Sequence, residues 1–152
     1  MNLERYPYAV SASLLVYTFE SVGPKGGIQK MVRYDLQNVG GISFFNLVFG
    51  NCSEGGAIDT LTVSNNGDRA KLLSTVAATV LEVTSHFPDI RVYAKGSTPA
   101  RTRLYQMGIF HHWELIAPVF DVYAFTRGSW VRAKRCGNYE AFVVRRKYYS
   151  QN

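Results

Sequence analysis

The stretch from Gly96 to Gly108 restricts the fold of this chain more than any other part of the sequence. Thr98 is a typical helix N-cap, because its hydroxyl accepts a hydrogen bond from a backbone N–H of the first turn. Pro99 follows at the first helical position, where its fixed φ suits a helix and its missing N–H costs nothing. Gly108 is the kind of residue that ends a helix in a left-handed conformation. The stretch therefore predicts a short helix after a buried strand over residues 90–95.

The rest of the chain predicts strands first and a long helix afterwards. Between Arg69 and Phe87 the apolar period changes from two to nearly four, which predicts a helix with Asn66 as its N-cap. Its apolar side would pack on a sheet through Leu72, Val76, Val80 and Val83. The other predicted strands cover residues 13–20, 28–34, 43–49, 57–64, 115–126 and 139–147.

These elements predict the order β-β-β-β-α-β-α-β-β and an α+β fold. The sheet is expected to be central, mixed and mostly antiparallel, with about six to seven strands, one long helix and one short helix. The sequence has no repeat and no linker-like segment, so residues 1–152 are predicted to form a single domain.

Composition excludes several classes of protein. Hydrophobic residues at 47% and aromatic residues at 14% indicate an ordered globular chain. No apolar run approaches the roughly 20 residues of a membrane span, and the N-terminus lacks signal-peptide order. We therefore expect a cytoplasmic, bacterial-type protein. Cys52 and Cys136 lack CxxC spacing, and the adjacent pair His111-His112 lacks ligand spacing, so no metal site is predicted.

Part of the chain resembles a known superfamily. From Ala57 to about Ile109, a strand, a phosphate loop, a long helix, a strand and a short tyrosine-bearing helix resemble the cofactor half of the GNAT N-acetyltransferases. The segment that contains Thr98, Leu104, Tyr105 and Gly108 is similar to their Asn-x-x-Ala-x-x-Leu-Tyr…Gly-Phe motif. The whole chain also resembles a small bacterial family of unknown function with SNNGD and GSTPARTRLY segments.

The GNAT resemblance implies an anionic ligand, acetyl-CoA or another acyl-CoA, between the strands at 58–63 and 90–95. The pyrophosphate would lie on backbone N–H groups at the start of the long helix. The pantetheine arm would follow Leu61 and Val63, and Tyr105 would donate a proton to the departing thiolate. The other implied contact residues are Asn65, Asn66, Gly67, Asp68, Arg69, Thr98 and Arg101. The spacing singles out no general base among Glu54, Asp59 and His86.

Departures from the superfamily pattern keep a second interpretation open. Arg69 stands where a small residue would let the backbone approach a pyrophosphate, and the carboxylate of Asp68 would repel that dianion. The two helices that follow the first strand in the superfamily have no counterpart. The alternative is a non-enzymatic binding or regulatory module with a degenerate acetyltransferase fold, in which the loop is a turn and Tyr105 a packing residue.

The C-terminal third of the chain is strongly basic. The net charge is +6 and the pI about 9.4, which favours polyanionic partners such as nucleic acid or an acidic protein. Basic and aromatic side chains together are typical of a single-strand-binding surface. The residues concerned are Arg127, Trp130, Arg132, Lys134, Arg135, Tyr139, Arg145, Arg146, Lys147, Tyr148 and Tyr149. The alternative is an exposed sheet edge whose charges prevent aggregation.

Overall fold

One sheet dominates the computed structural model of the protein, which describes residues 4–60 and 65–147. Within these residues the sheet has nine strands and the chain has three α-helices. The strands are β1 Ala9–Val10, β2 Val16–Gly23, β3 Gly26–Val39, β4 Ile42–Cys52, β5 Ile58–Asp59, β6 Arg91–Ala94, β7 Phe120–Thr126, β8 Ser129–Arg132 and β9 Ala141–Arg146. The helices are α1 Arg69–His86, α2 Pro99–His111 and α3 Trp113–Ile116.

The strand order confirms the predicted class. It runs β1-β2-β3-β4-β6-β9-β7-β8, with β5 paired to β4, and only β4 and β6 are parallel. The fold is therefore α+β with a mixed, mostly antiparallel sheet. The sheet is larger than predicted because the short strands β1 and β8 extend its two sides.

The parallel pair differs from the prediction. β6 pairs in parallel with Phe44–Leu47 of β4, and α1 forms the crossover between them. The strand predicted over residues 57–64 is, in its described part, only β5, which folds back antiparallel onto Asn51–Cys52. A tight turn causes this reversal, since the N–H of Ser53 donates to the carbonyl of Ala57 at 2.9 Å. Residues 61–64 lie outside the described residues.

Helices α1 and α2 cover one face of the sheet. Alternate side chains of β2, β3, β4 and β6 point toward them, as the period of two in a strand requires. Val76 and Val83 of α1 are buried there, and Leu72 and Val80 pack at the margin, which confirms the predicted contact. The buried side chains of this cluster that the sheet contributes are Tyr17, Phe19, Val32, Tyr34, Phe45, Leu47 and Val92. No helix of residues 4–60 and 65–147 is long and apolar enough to cross a membrane.

The start of α2 agrees with the sequence and its end does not. The hydroxyl of Thr98 accepts from the N–H of Arg101 at 3.3 Å, with Pro99 at the first helical position. Gly108 does not end the helix, which continues to His111. Gly108 is instead buried against Leu73, where α2 crosses α1.

Candidate functional site

The carboxyl ends of β4 and β6 and the first turns of α1 and α2 share one edge of the sheet. Parallel strands carry their carboxyl ends on the same side; β6 is followed by α2, and β4 is followed by β5 and then α1. Ligands of open α/β sheets bind at such edges, where helix N-termini offer N–H groups and a positive partial charge. This edge is therefore the candidate site.

Lys30 brings a buried amine to this edge. Its residue is only 4% exposed, and its ammonium donates to the Asn51 Oδ1 at 2.5 Å. Burial lowers the pKa of Lys30, the carboxylate of Asp68 acts to raise it, and the positive charge of Arg101 lowers it further. The three side chains are thus within electrostatic reach of one another, with two positive charges against one negative.

Asp68 stands at the start of α1 and is held by two short hydrogen bonds. Its Oδ2 accepts from the hydroxyl of Tyr6 and from the hydroxyl of Ser21, each at 2.6 Å. Its Oδ1 is buried and has no hydrogen-bond partner within the described chain. The pKa of Tyr6 is raised, first by burial and then by this bond. Asp68 occupies the N-cap position, although its side chain makes no capping bond.

Asn66 is not the helix cap that the sequence predicts. Its side chain is buried and binds the turn of the β2–β3 hairpin, accepting from the N–H of Lys25 at 2.8 Å and donating to the carbonyl of Gly26 at 2.9 Å. The backbone also approaches closely, because a Cβ on Gly23 would lie 1.9 Å from the Asn66 carbonyl oxygen. The loop therefore fastens the start of α1 to the hairpin.

The other residues implied by the resemblance are scattered around this edge. Asn65 and Gly67 are exposed and have positive φ, at 45° and 74°. Arg69 is exposed at the first turn of α1, and Arg101 is half-buried in the first turn of α2. Leu61 and Val63, which the resemblance implies as the pantetheine path, lie outside the described residues.

Tyr105 lies one helical turn beyond Arg101 on the same side of α2. It lines an apolar cavity of about 70 Å³ between the two helices and the sheet, together with Leu47 and Val92. Burial raises the pKa of Tyr105 to about 12, and the charge of Arg101 opposes that rise. At neutral pH the phenol is thus a proton donor rather than a base.

The chain itself occupies part of the gap between β4 and the start of α2. A Cβ on Gly50 would lie 2.2 Å from the carbonyl oxygen of Asp59, so β5 lies directly against β4. The hydroxyl of Ser97 donates to the carbonyl of Thr60 at 2.8 Å. Residues 58–60 therefore lie along the outer half of β4, beyond the last residue that pairs with β6.

The sequence did not single out Lys30 or Asn51, although one signal was available. Lys30 shares the inward-facing alternation of Val32 and Tyr34 on β3. A lysine at an inward position of a strand is costly unless it is paired, so it indicates a polar cluster in the core.

The histidine pair has a structural role. The hydroxyl of Ser74 and the Nε2 of His112 are 2.9 Å apart, and the Nδ1 of His112 lies 2.8 Å from the carbonyl of Gly108. The ring therefore links α1 to the end of α2, while His111 is exposed. Within the described residues, no three His, Cys, Asp or Glu side chains form a group that could hold a metal ion.

The basic residues near the C-terminus divide between the two faces of the sheet. Arg146 points toward the helices, where its guanidinium donates to the Thr84 hydroxyl at 2.9 Å and the Leu81 carbonyl at 2.7 Å. Arg145 points to the opposite face and lies 3.9 Å from a carboxylate oxygen of Asp121. The predicted run of basic residues is thus two separate sets, and residues 148–152 lie outside the described chain.

Comparison with known proteins identifies a family and no activity. A family described as a family of unknown function, DUF6934, matches residues 2–147. No curated protein and no solved structure matches the chain.

Proposed function

The chain belongs to the DUF6934 family of unknown function, and we propose that it binds a small anionic ligand where α2 begins. The observation that supports this proposal is the buried Lys30 amine, whose pKa the positive charge of Arg101 helps to lower. The first turn of α2 adds the positive end of a helix dipole to these two charges. A buried amine whose pKa is lowered, at an edge where strand ends meet, is typical of a functional site rather than of a plain core.

The charges favour the α2 side of the edge over the α1 side. At α1, the carboxylate of Asp68 already occupies the position next to the first turn, and it would repel a phosphate. The side chain of Asn66 is also engaged with the hairpin. An anion is therefore best stabilised near Arg101 and the Thr98 cap, with the buried charge of Lys30 adding to the positive potential.

Acyl-CoA is one ligand of this class, and it is the one that the GNAT resemblance implies. The resemblance places the pantetheine arm along the strand at 58–63, but residues 58–59 fold back antiparallel onto β4, and β6 pairs with β4 instead. For this reason we assign no acyl-transfer step to the chain. Proton donation by Tyr105 stays a hypothesis within this proposal.

A thermal-shift screen tests ligand binding, because a ligand that binds only the folded state raises the melting temperature. The probes are acetyl-CoA, CoA, ATP and inorganic pyrophosphate, with affinities then measured by calorimetry. We expect Arg101→Gln to weaken binding about tenfold or more, the usual cost of losing a charged hydrogen bond. Arg103→Gln is the matched control, since it removes the same charge from an exposed position of α2. No stabilisation by any probe, or equal losses in both variants, would contradict the proposal.

Release of free CoA thiol from acetyl-CoA, in the presence of an amine acceptor, separates the enzymatic from the non-enzymatic interpretation. If the chain is an enzyme, the native protein should release thiol faster than the Tyr105→Phe variant, while the two proteins bind acetyl-CoA equally. Binding with no thiol release above that of Tyr105→Phe would identify a binding module.

A further inference from the structure

The face of the sheet opposite α1 and α2 carries a row of aromatic side chains. Ring centroids lie 5.9 Å apart for Phe44 and Tyr93, 6.2 Å for Tyr93 and Trp130, and 5.2 Å for Trp130 and Phe125. The row runs from β4 to β8, and Trp130 is 46% exposed. Within the described residues no helix covers this face, which we call the open face.

Three arginines border the aromatic row. Arg91, Arg132 and Arg145 share its side of the sheet, as the strand registers show. Asp121 is the only carboxylate that the described residues of β4, β6, β7, β8 and β9 place there, and it lies 3.0 Å from Arg132. The Nε of Arg145 is buried and has no hydrogen-bond partner within the described chain. The part of the open face formed by β4, β6, β7, β8 and β9 is therefore positively charged as well as aromatic, while Glu20 and Asp35 lie on the same face in β2 and β3.

We propose that the open face binds single-stranded nucleic acid, with bases stacked on the aromatic row and phosphates near the arginines. Aromatic rings on a flat sheet stack unpaired bases, and guanidinium groups neutralise phosphates. In a duplex the bases are stacked on one another, so they offer these rings no free face. The net charge of +6 agrees with a polyanionic partner. This proposal is independent of the small-ligand site at α2.

Anisotropy of labelled oligonucleotides tests the stacking part of the proposal. The probes are oligo(dT) and oligo(U) of about 12 nucleotides, a typical site size, with a duplex of the same length. We expect Trp130→Ala to weaken binding of single strands by roughly 5- to 150-fold, the range for losing one stacked base. Val131→Ala is the matched control, because Val131 is the next residue of β8, is also exposed and points to the other face. It should change affinity less than about twofold.

Salt dependence tests the electrostatic part. Each lost phosphate contact reduces the log–log salt slope by about 0.7 for a single strand. We expect this change for Arg91→Gln and no change for Arg103→Gln, which removes an equal charge from α2. In a Trp113→Phe background, quenching of the remaining tryptophan, Trp130, reports contact with the open face directly.

Several outcomes would overturn the proposal. They are no binding at low salt, equal affinity for duplex and single strand, and equal effects of Trp130→Ala and Val131→Ala. If polyglutamate competes with the oligonucleotides and its binding depends on Trp130, the partner is instead an acidic protein. Loss of folding in Trp130→Ala is checked by circular dichroism. If that variant does not fold, the quenching and Arg91→Gln results decide the question.

Discussion

At the scale of single residues, Asn66 shows how one amide can hold distant parts of the chain together. Its side chain satisfies the N–H of Lys25 and the carbonyl of Gly26, and it lies 3.2 Å from the hydroxyl of Ser21. Ser21 in turn donates to Asp68, so the hairpin and the start of α1 share one buried hydrogen-bond network. Such a network stabilises the folded state most when all of its hydrogen-bonding groups are present.

Asn66→Ala should therefore lower the free energy of unfolding by about 1–3 kcal/mol, the cost of leaving buried polar groups unpaired. Urea denaturation measures the change. The control is Asn65→Gly, because Asn65 is exposed and its positive φ suits glycine. If the two variants were equally stable, the buried network would contribute nothing to the fold.

Tyr105 predicts a change of stability at high pH. The folded protein keeps the phenol proton up to a pKa of about 12, while an unfolded tyrosine loses it near pH 10. The resulting stabilisation is complete below pH 10 and is lost as the pH rises through 12. The free energy of unfolding of the native protein should thus fall more steeply between pH 10 and 12 than that of Tyr105→Phe.

Urea denaturation across that pH range measures both slopes, and the other tyrosines cancel in the difference. At pH 7 the variant should stay within about 1 kcal/mol of the native protein. The described residues give the Tyr105 hydroxyl no hydrogen-bond partner, so none is lost. Equal slopes would show that the phenol is not buried.

At the scale of elements, the contact between α1 and α2 sets the position of the candidate site. Gly108 of α2 packs on Leu73 of α1, and the Ser74–His112 pair joins the two helices one turn further on. The first turn of α2, with Thr98 and Arg101, is thereby fixed relative to β4 and Lys30. Substitutions at the contact between α1 and α2 should therefore alter the geometry of the candidate site, although these residues are not part of it.

Whether Gly108→Ala stabilises or destabilises the protein distinguishes a glycine inside a helix contact from a glycine at a helix end. A Cβ at Gly108 would lie 3.4 Å from the Leu73 Cδ2, which is ordinary contact, so Gly108→Ala should stabilise the protein by roughly 0.5–1 kcal/mol. Gly67→Ala should destabilise it, since φ at Gly67 is +74°. Melting temperatures measure both. Destabilisation by Gly108→Ala would indicate that α2 ends where the sequence predicted.

At the scale of the whole molecule, local signals predicted the elements and long-range contacts decided their roles. The apolar period located α1 to within one residue of its end, and Thr98-Pro99 located the start of α2. The function of Asn66 depends on partners about forty positions away, which no local pattern contains. Strand alternation places Arg145 and Arg146 on opposite sides of β9, but only the packed sheet decides which of the two faces the helices. The polar cluster around Lys30 was missed for the same reason, because β3 and β4 meet there only in the folded chain.

The position of β9 has a consequence for biosynthesis. It is the last strand of the described chain, yet it lies between β6 and β7. A nascent chain that has emerged only as far as β8 therefore has a slot one strand wide, with unpaired N–H and C=O groups on both sides. The same hydrogen-bonding groups could also pair with β9 of another copy. We therefore expect strand exchange between neighbouring chains on a polysome as a misassembly of this topology. We also expect insertion of β9 to be a slow folding step, because α2, α3, β7 and β8 all lie between β6 and β9 in the sequence.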